Sequence, residues 1–158
     1  MSELKPPQRG MYFEEFEVGQ RIVTPARTVT EADIVTFAGL SGDFTSIHTD
    51  SVHAEASPFE QRVAHGLLGL SIASGLAVRT GILEGTVLAF REINDWKFSL
   101  PIYIGDTIHV ELEVDSAKAM PRLGGGLLQL VMEVHNQRVE MVMKGRWSVL
   151  IKSQPTAD

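Results

Sequence analysis

The segment Gly42-Asp43-Phe44-Thr45-Ser46-Ile47-His48 places a carboxylate and an imidazole five residues apart, and a second imidazole precedes a glycine in Val63-Ala64-His65-Gly66. A carboxylate and an imidazole sharing one water molecule make a general acid/base pair. The backbone between them decides whether they can share it. In a helix, five residues at about 100° each leave the two side chains roughly 140° apart. In a strand, an odd spacing sends them to opposite faces. Asp43 and His48 therefore converge only on irregular backbone, and Gly42-Asp43 is a sequence that stops a helix.

The flanking residues supply the elements that must hold this loop. Residues 20–29 read as a strand with Val23, Ala26 and Val29 among polar residues. Thr30-Glu31-Ala32-Asp33 has the form of a capping box, opening a helix over about 31–40 with apolar residues at 34, 35, 37 and 38. A second short helix is expected from Asp50, carrying Val52, Ala54 and Ala56. Residues 64–79 form a third helix, uncharged from Gly66 to Val78 and apolar all round, which predicts burial on every side. Beyond Gly85 the period changes to two. Ile108, Val110, Leu112 and Val114 alternate with polar residues; Leu128, Leu130, Met132 and Val134 repeat the pattern, as do Val139, Met141 and Met143 on to Trp147, Val149 and Ile151. Gly124-Gly125-Gly126 and Asn136-Gln137 supply turns. One buried helix followed by four long strands is an α+β arrangement in which a sheet wraps a helix, and its free edge strand calls for a partner.

Composition narrows the chemistry. The 158 residues form one domain with a core of ordinary size, residues 1–11 and 153–158 being read as flexible tails. A net charge of −6 argues against nucleic acid or an anionic membrane as partner. Without cysteine there is no disulfide, thiolate metal site or thiol nucleophile, and a cytoplasmic location fits. The first ten residues hold no run suited to a signal peptide, and the apolar stretch from Gly66 is too short to span a bilayer. His53, His109 and His135 show no ligand spacing, so no metal site is expected from them.

Phe37-Ala38-Gly39-Leu40-Ser41-Gly42-Asp43-x4-His48, followed by Ala64-His65-Gly66 at the head of an apolar helix, resembles the MaoC-like family of (R)-specific enoyl-CoA hydratases and dehydratases. The likeness extends through Tyr12-Phe13-Glu14-Glu15-Phe16-Glu17-Val18-Gly19 and the stretch from Trp96 to Thr107, covering nearly the whole chain. One departure stands out: Thr45-Ser46 replaces the family's usual Asn-Pro, so the loop loses the fixed φ of proline. The resemblance implies a hot-dog fold, a homodimer or higher homo-oligomer, and reversible hydration of a 2-enoyl thioester of CoA or acyl carrier protein, without cofactor or metal.

The resemblance makes Asp43 and His48 the catalytic pair, leaving open which is the base. Gly66 stands where a helix has unpaired amides and favours negative charge, so its N–H suits a thioester oxyanion; tight packing is the compatible structural reading. Ser74 falls where the family often has a serine near the aspartate, and either orients Asp43 or bonds its own i−4 carbonyl. His65 reads as a packed or hydrogen-bonded histidine beside the oxyanion donor. Arg79, Arg91, Lys97, Arg122 and Lys144 are given no substrate contact. Two other functions compete. A hot-dog thioesterase would place an acid on the central helix, where this chain has none between Gly66 and Gly81. A non-catalytic acyl-thioester binding protein would keep the fold, and the Thr45-Ser46 departure favours it.

Overall fold

The computed structural model describes residues 10–155. Its sheet is built from β1 (Arg21–Val23), β2 (Arg27–Thr28), β3 (Val87–Phe98), β4 (Thr107–Met120), β5 (Gly125–His135) and β6 (Met141–Lys152). The order is β1-β4-β5-β6-β3, with β2 also on β4, and every pair is antiparallel. Helices α1 (Glu31–Ser41), α2 (Ser46–Thr49), α3 (Ser51–Glu55) and α4 (Gly66–Arg79) all precede β3. One long helix against an antiparallel sheet, in α+β order, is the hot-dog fold expected from the sequence.

The alternating strands behave as their period requires. Ile108, Val110, Leu112 and Val114 of β4 and Leu128, Leu130, Met132 and Val134 of β5 are buried, forming one core with α4. Three local expectations change. Residues 20–29 make two short strands, because Pro25 has no N–H for the ladder; Thr24 fills the break, its N–H donating to the Val110 carbonyl and its hydroxyl accepting from the Val110 amide. Val139 lies in a turn at φ 62°, since the Asn136 carboxamide oxygen accepts from the Arg138 and Glu140 amides; β6 starts at Met141, which is exposed. The chain ends described are also tied down: the Met11 amide donates to Ile82, that of Ser153 to Gly124 and that of Gln154 to Glu14. Residues 1–9 and 156–158 of the expected tails lie outside the described residues.

Helix α4 corrects the largest expectation. It buries Leu68, Gly69, Ile72, Ala73, Leu76 and Ala77, a single stripe, and leaves Leu67, Ser71, Ser74, Gly75 and Val78 exposed. A sheet laid against one side of a helix covers one side, however apolar the rest. At the sheet edge, β3 exposes Leu88, Phe90, Ile93 and Phe98. No helix among the described residues is long and apolar enough to cross a membrane.

Candidate active site

The loop begins where α1 is made to stop. Thr30 and Asp33 close the capping box at its start: Thr30 Oγ1 accepts from the Asp33 amide and the Asp33 carboxylate accepts from the Thr30 amide. At its end Gly42 takes the left-handed conformation, φ 78°, which releases the chain from the helix. Residues 42–45 are irregular, and Asp43 lies among them. His48, in contrast, sits on the one-turn helix α2, so the irregular backbone is only the first half of the segment. That break brings the two side chains together. One ligand atom each of Asp43, His48 and His65 lies within 4.8 Å of the others.

Each histidine is fixed by a backbone carbonyl. His48 Nδ1 lies 2.7 Å from the Val63 oxygen. A carbonyl only accepts, so Nδ1 carries a hydrogen, and in the neutral ring Nε2 is the acceptor. His65 is held the opposite way, its Nε2–H donating to the Asp43 carbonyl at 2.9 Å, while its buried Nδ1 has no partner among the described residues. The rings stack at 3.8 Å between centroids, with Phe37 at 4.9 Å from His65. His65 is thus the packed, hydrogen-bonded residue anticipated, and it touches both members of the pair. Arg62, which sequence reasoning passed over, fastens α2 to α1: its Nε–H donates to the His48 carbonyl at 2.6 Å and its guanidinium pairs with Glu31.

Asp43 is exposed, and its Oδ1 accepts from the Thr45 hydroxyl at 2.6 Å and the Thr45 amide at 3.1 Å. These bonds, the hydroxyl's foremost, hold its carboxyl below the ordinary value of 3.8, with smaller contributions from His65 and His48. Asp43 is therefore ionised at neutral pH.

Gly66 is the first residue of α4, where an amide has no i−4 carbonyl to donate to. A side chain there would put Cβ 2.8 Å from the Phe98 ring, so any other residue must push that ring aside. Gly66, His48 and His65 line one cavity of about 510 Å³, otherwise walled by apolar groups such as Phe59, Leu67, Phe98 and Ile102. That size suits a small organic ligand. A larger hollow of about 730 Å³ near Arg79 and Glu84 has no imidazole among its described lining residues, so the smaller cavity is the candidate site. Ser74 is exposed on α4, about 12 Å along the axis from Gly66. Among the described residues it makes no bond to Asp43, whose side chain is held by Thr45.

Fold and site together define a hot-dog domain in which two imidazoles line an apolar cavity headed by a helix N-terminus, with the Asp43 carboxylate beside them. The MaoC like domain profile matches residues 14–124, and the chain belongs to that family. It is 46% identical over 101 residues to protein MaoC of Klebsiella aerogenes, which takes in 64% of this chain but only 30% of that protein. It is 30% identical over 153 residues to a 3-hydroxybutyryl-CoA dehydratase of Methylorubrum extorquens, covering 97% of this chain and 92% of that one. The structure of an R-hydratase from Pseudomonas aeruginosa superposes with a TM-score of 0.78 at 26% identity, covering 95% and 94% of the two chains.

Proposed function

We propose that the protein is a hydro-lyase that adds water reversibly to a trans-2-enoyl thioester, on CoA or acyl carrier protein, to give the (R)-3-hydroxyacyl thioester. The observation that carries the reading is the 2.7 Å contact of His48 Nδ1 with the Val63 carbonyl: in the neutral ring it puts the hydrogen on Nδ1 and leaves Nε2 of this cavity-lining residue as an acceptor near an ionised carboxylate. The thioester makes the β carbon electrophilic, because charge can move onto its carbonyl oxygen.

In this reading a water lies between His48 Nε2 and the Asp43 carboxylate. Its oxygen bonds to the β carbon as Nε2 takes one of its protons, and the alkene electrons move onto the thioester oxygen. The Gly66 N–H and the positive end of α4 stabilise that enolate. The Nε2–H then protonates the α carbon, the carbonyl re-forms, and His48 is neutral again. Asp43 accepts the water's second hydrogen throughout and never needs to gain a proton. One water has been added across the double bond, both parts from one face. The kinship with a 3-hydroxybutyryl-CoA dehydratase and an R-hydratase supports the reaction type and the stereochemistry.

We also read the chain as a homodimer or higher homo-oligomer joined along β3, whose exposed apolar residues border the cavity through Phe98. Sedimentation of the purified protein checks this, and a monomer at micromolar concentration would contradict it.

The reaction is tested by mixing the protein with trans-2-enoyl-CoA thioesters, starting from crotonyl-CoA, and following loss of the conjugated absorbance and the chirality of the product. The expected result is turnover to the (R)-3-hydroxyacyl form. Cleavage to free CoA would make the protein a thioesterase. Saturable binding of the whole panel without turnover would make it an acyl-thioester binding protein.

A further inference from the structure

Thr45 occupies the N-cap position of α2, with φ −54° and ψ 135°. A threonine there ordinarily turns its hydroxyl onto one of the helix's own free amides. This one does not: its side chain makes no capping bond. The hydroxyl donates instead to Asp43 Oδ1, and the Thr45 amide donates to the same oxygen. Among the described residues no donor reaches Oδ2.

The rest of Asp43 is fixed as well. Its amide donates to Ser41 Oγ at 3.2 Å, and Ser41 Oγ–H donates to the Phe37 carbonyl at 2.7 Å. Its own carbonyl receives the His65 Nε2–H. With amide, carbonyl and one carboxylate oxygen all occupied, only Oδ2 is open. The loop thus gains from two donors on Asp43 the rigidity that its lack of a proline at position 46 would otherwise cost it.

We propose that Thr45 is a positioning residue for Asp43: its hydroxyl and amide saturate one carboxylate oxygen and set the other as the acceptor for the attacking water. The role in turnover rests on the hydratase reading given above; the hold on the carboxylate does not. Charge-assisted hydrogen bonds of this length are the strong ones, and they favour the ionised acid. The titratable groups facing the Asp43 carboxylate are His48 on α2 and His65 at the head of α4; from α1 the uncharged Ser41 hydroxyl meets only the Asp43 backbone amide.

The test uses the whole chain, with Thr45→Val, which keeps the shape and removes the donor, and Thr45→Ser, which keeps the donor. The Asp43 carboxyl is titrated by carbon-13 NMR in all three proteins, and kcat and KM are measured with the best enoyl thioester. In Thr45→Val the Asp43 midpoint is expected to rise toward the ordinary carboxylate value. Its kcat should fall about tenfold or more at little change in KM. Thr45→Ser should restore both. An Asp43 midpoint that does not move in Thr45→Val, or a serine variant no better than the valine, would overturn the proposal. A wild-type protein that turns over no enoyl thioester, with the midpoint shift intact, would overturn the hydratase reading and leave the hold of Thr45 on Asp43 supported.

Discussion

Two regions of this molecule gather the same groups, two imidazoles and a carboxylate, and only one has the makings of an active site. Beside the apolar cavity these are Asp43, His48 and His65, the two histidines lining it; on the outer sheet face they are His109, Glu111 and His135, again with ligand atoms within 4.8 Å of one another. The sheet cluster follows from register. His109 and His135 are cross-strand partners on β4 and β5, and Glu111 lies two residues along on the same face. Its rings stack at 5.7 Å, and the Glu111 carboxylate stands 3.8 and 3.9 Å from their nitrogens, beyond hydrogen-bond length. Beside the cavity each ring has one nitrogen assigned by a backbone carbonyl, the carboxylate is held ionised by Thr45, and a helix N-terminus faces the same apolar hollow. Residue type is therefore not what distinguishes the two. Fixed tautomers, a cavity and an oriented dipole are.

Substituting corresponding members of the two clusters gives the largest contrast. His48→Gln and Asp43→Asn are each expected to lower kcat by roughly 10²- to 10⁴-fold, while His109→Gln and His135→Gln leave it within about twofold. Comparable losses in both clusters would erase the distinction. His65→Phe keeps a ring against His48 but removes the donor to the Asp43 carbonyl, and should cost about tenfold in kcat with folding retained.

Chelation separates the clusters from metal sites. Dialysis against EDTA should leave turnover unchanged, and activity recovered only on adding a divalent ion would contradict the proposed chemistry. Gly66→Ala keeps the amide but pushes on the Phe98 ring, and is expected to destabilise the fold by about 1 kcal/mol in denaturant melts, with Phe98→Leu restoring most of it.

The smallest effect belongs to the outer face. A hydrogen bond from Lys144 holds the Glu133 carboxyl below its ordinary value of 4.5. A depressed acid stabilises fully above its unfolded pKa and loses that contribution as pH falls through the folded value. Lys144→Met should thus cost under about 1 kcal/mol at pH 7, and the difference from wild type should vanish as pH drops below the carboxylate range.

Much of this was legible in the residues. Thr30 and Asp33 mark the start of α1, Gly42 its end, and the period of β4 and β5 their inward faces, because each signal is carried by side chains close in sequence. Asp43 and His48 stood out for the same reason. The one-turn α2 did not, since four residues are too few to show a period. Nor did the bonds that fix the site. His48 reaches a carbonyl 15 residues away and His65 one 22 residues away, and every residue has a carbonyl, so no residue type announces the acceptor. The only trace of His65 was its place directly before the glycine that heads α4. One-sided burial of α4 was hidden too, because apolar composition says what a helix tolerates and the sheet decides what it covers.

The most direct test of the account is the tautomeric state of the two stacked histidines, read from nitrogen-15 NMR of the imidazole side chains at neutral pH. The account predicts opposite tautomers, hydrogen on Nδ1 of His48 and on Nε2 of His65. A His48 ring with its hydrogen on Nε2 would have no free acceptor in the cavity, and would contradict its assignment as the base.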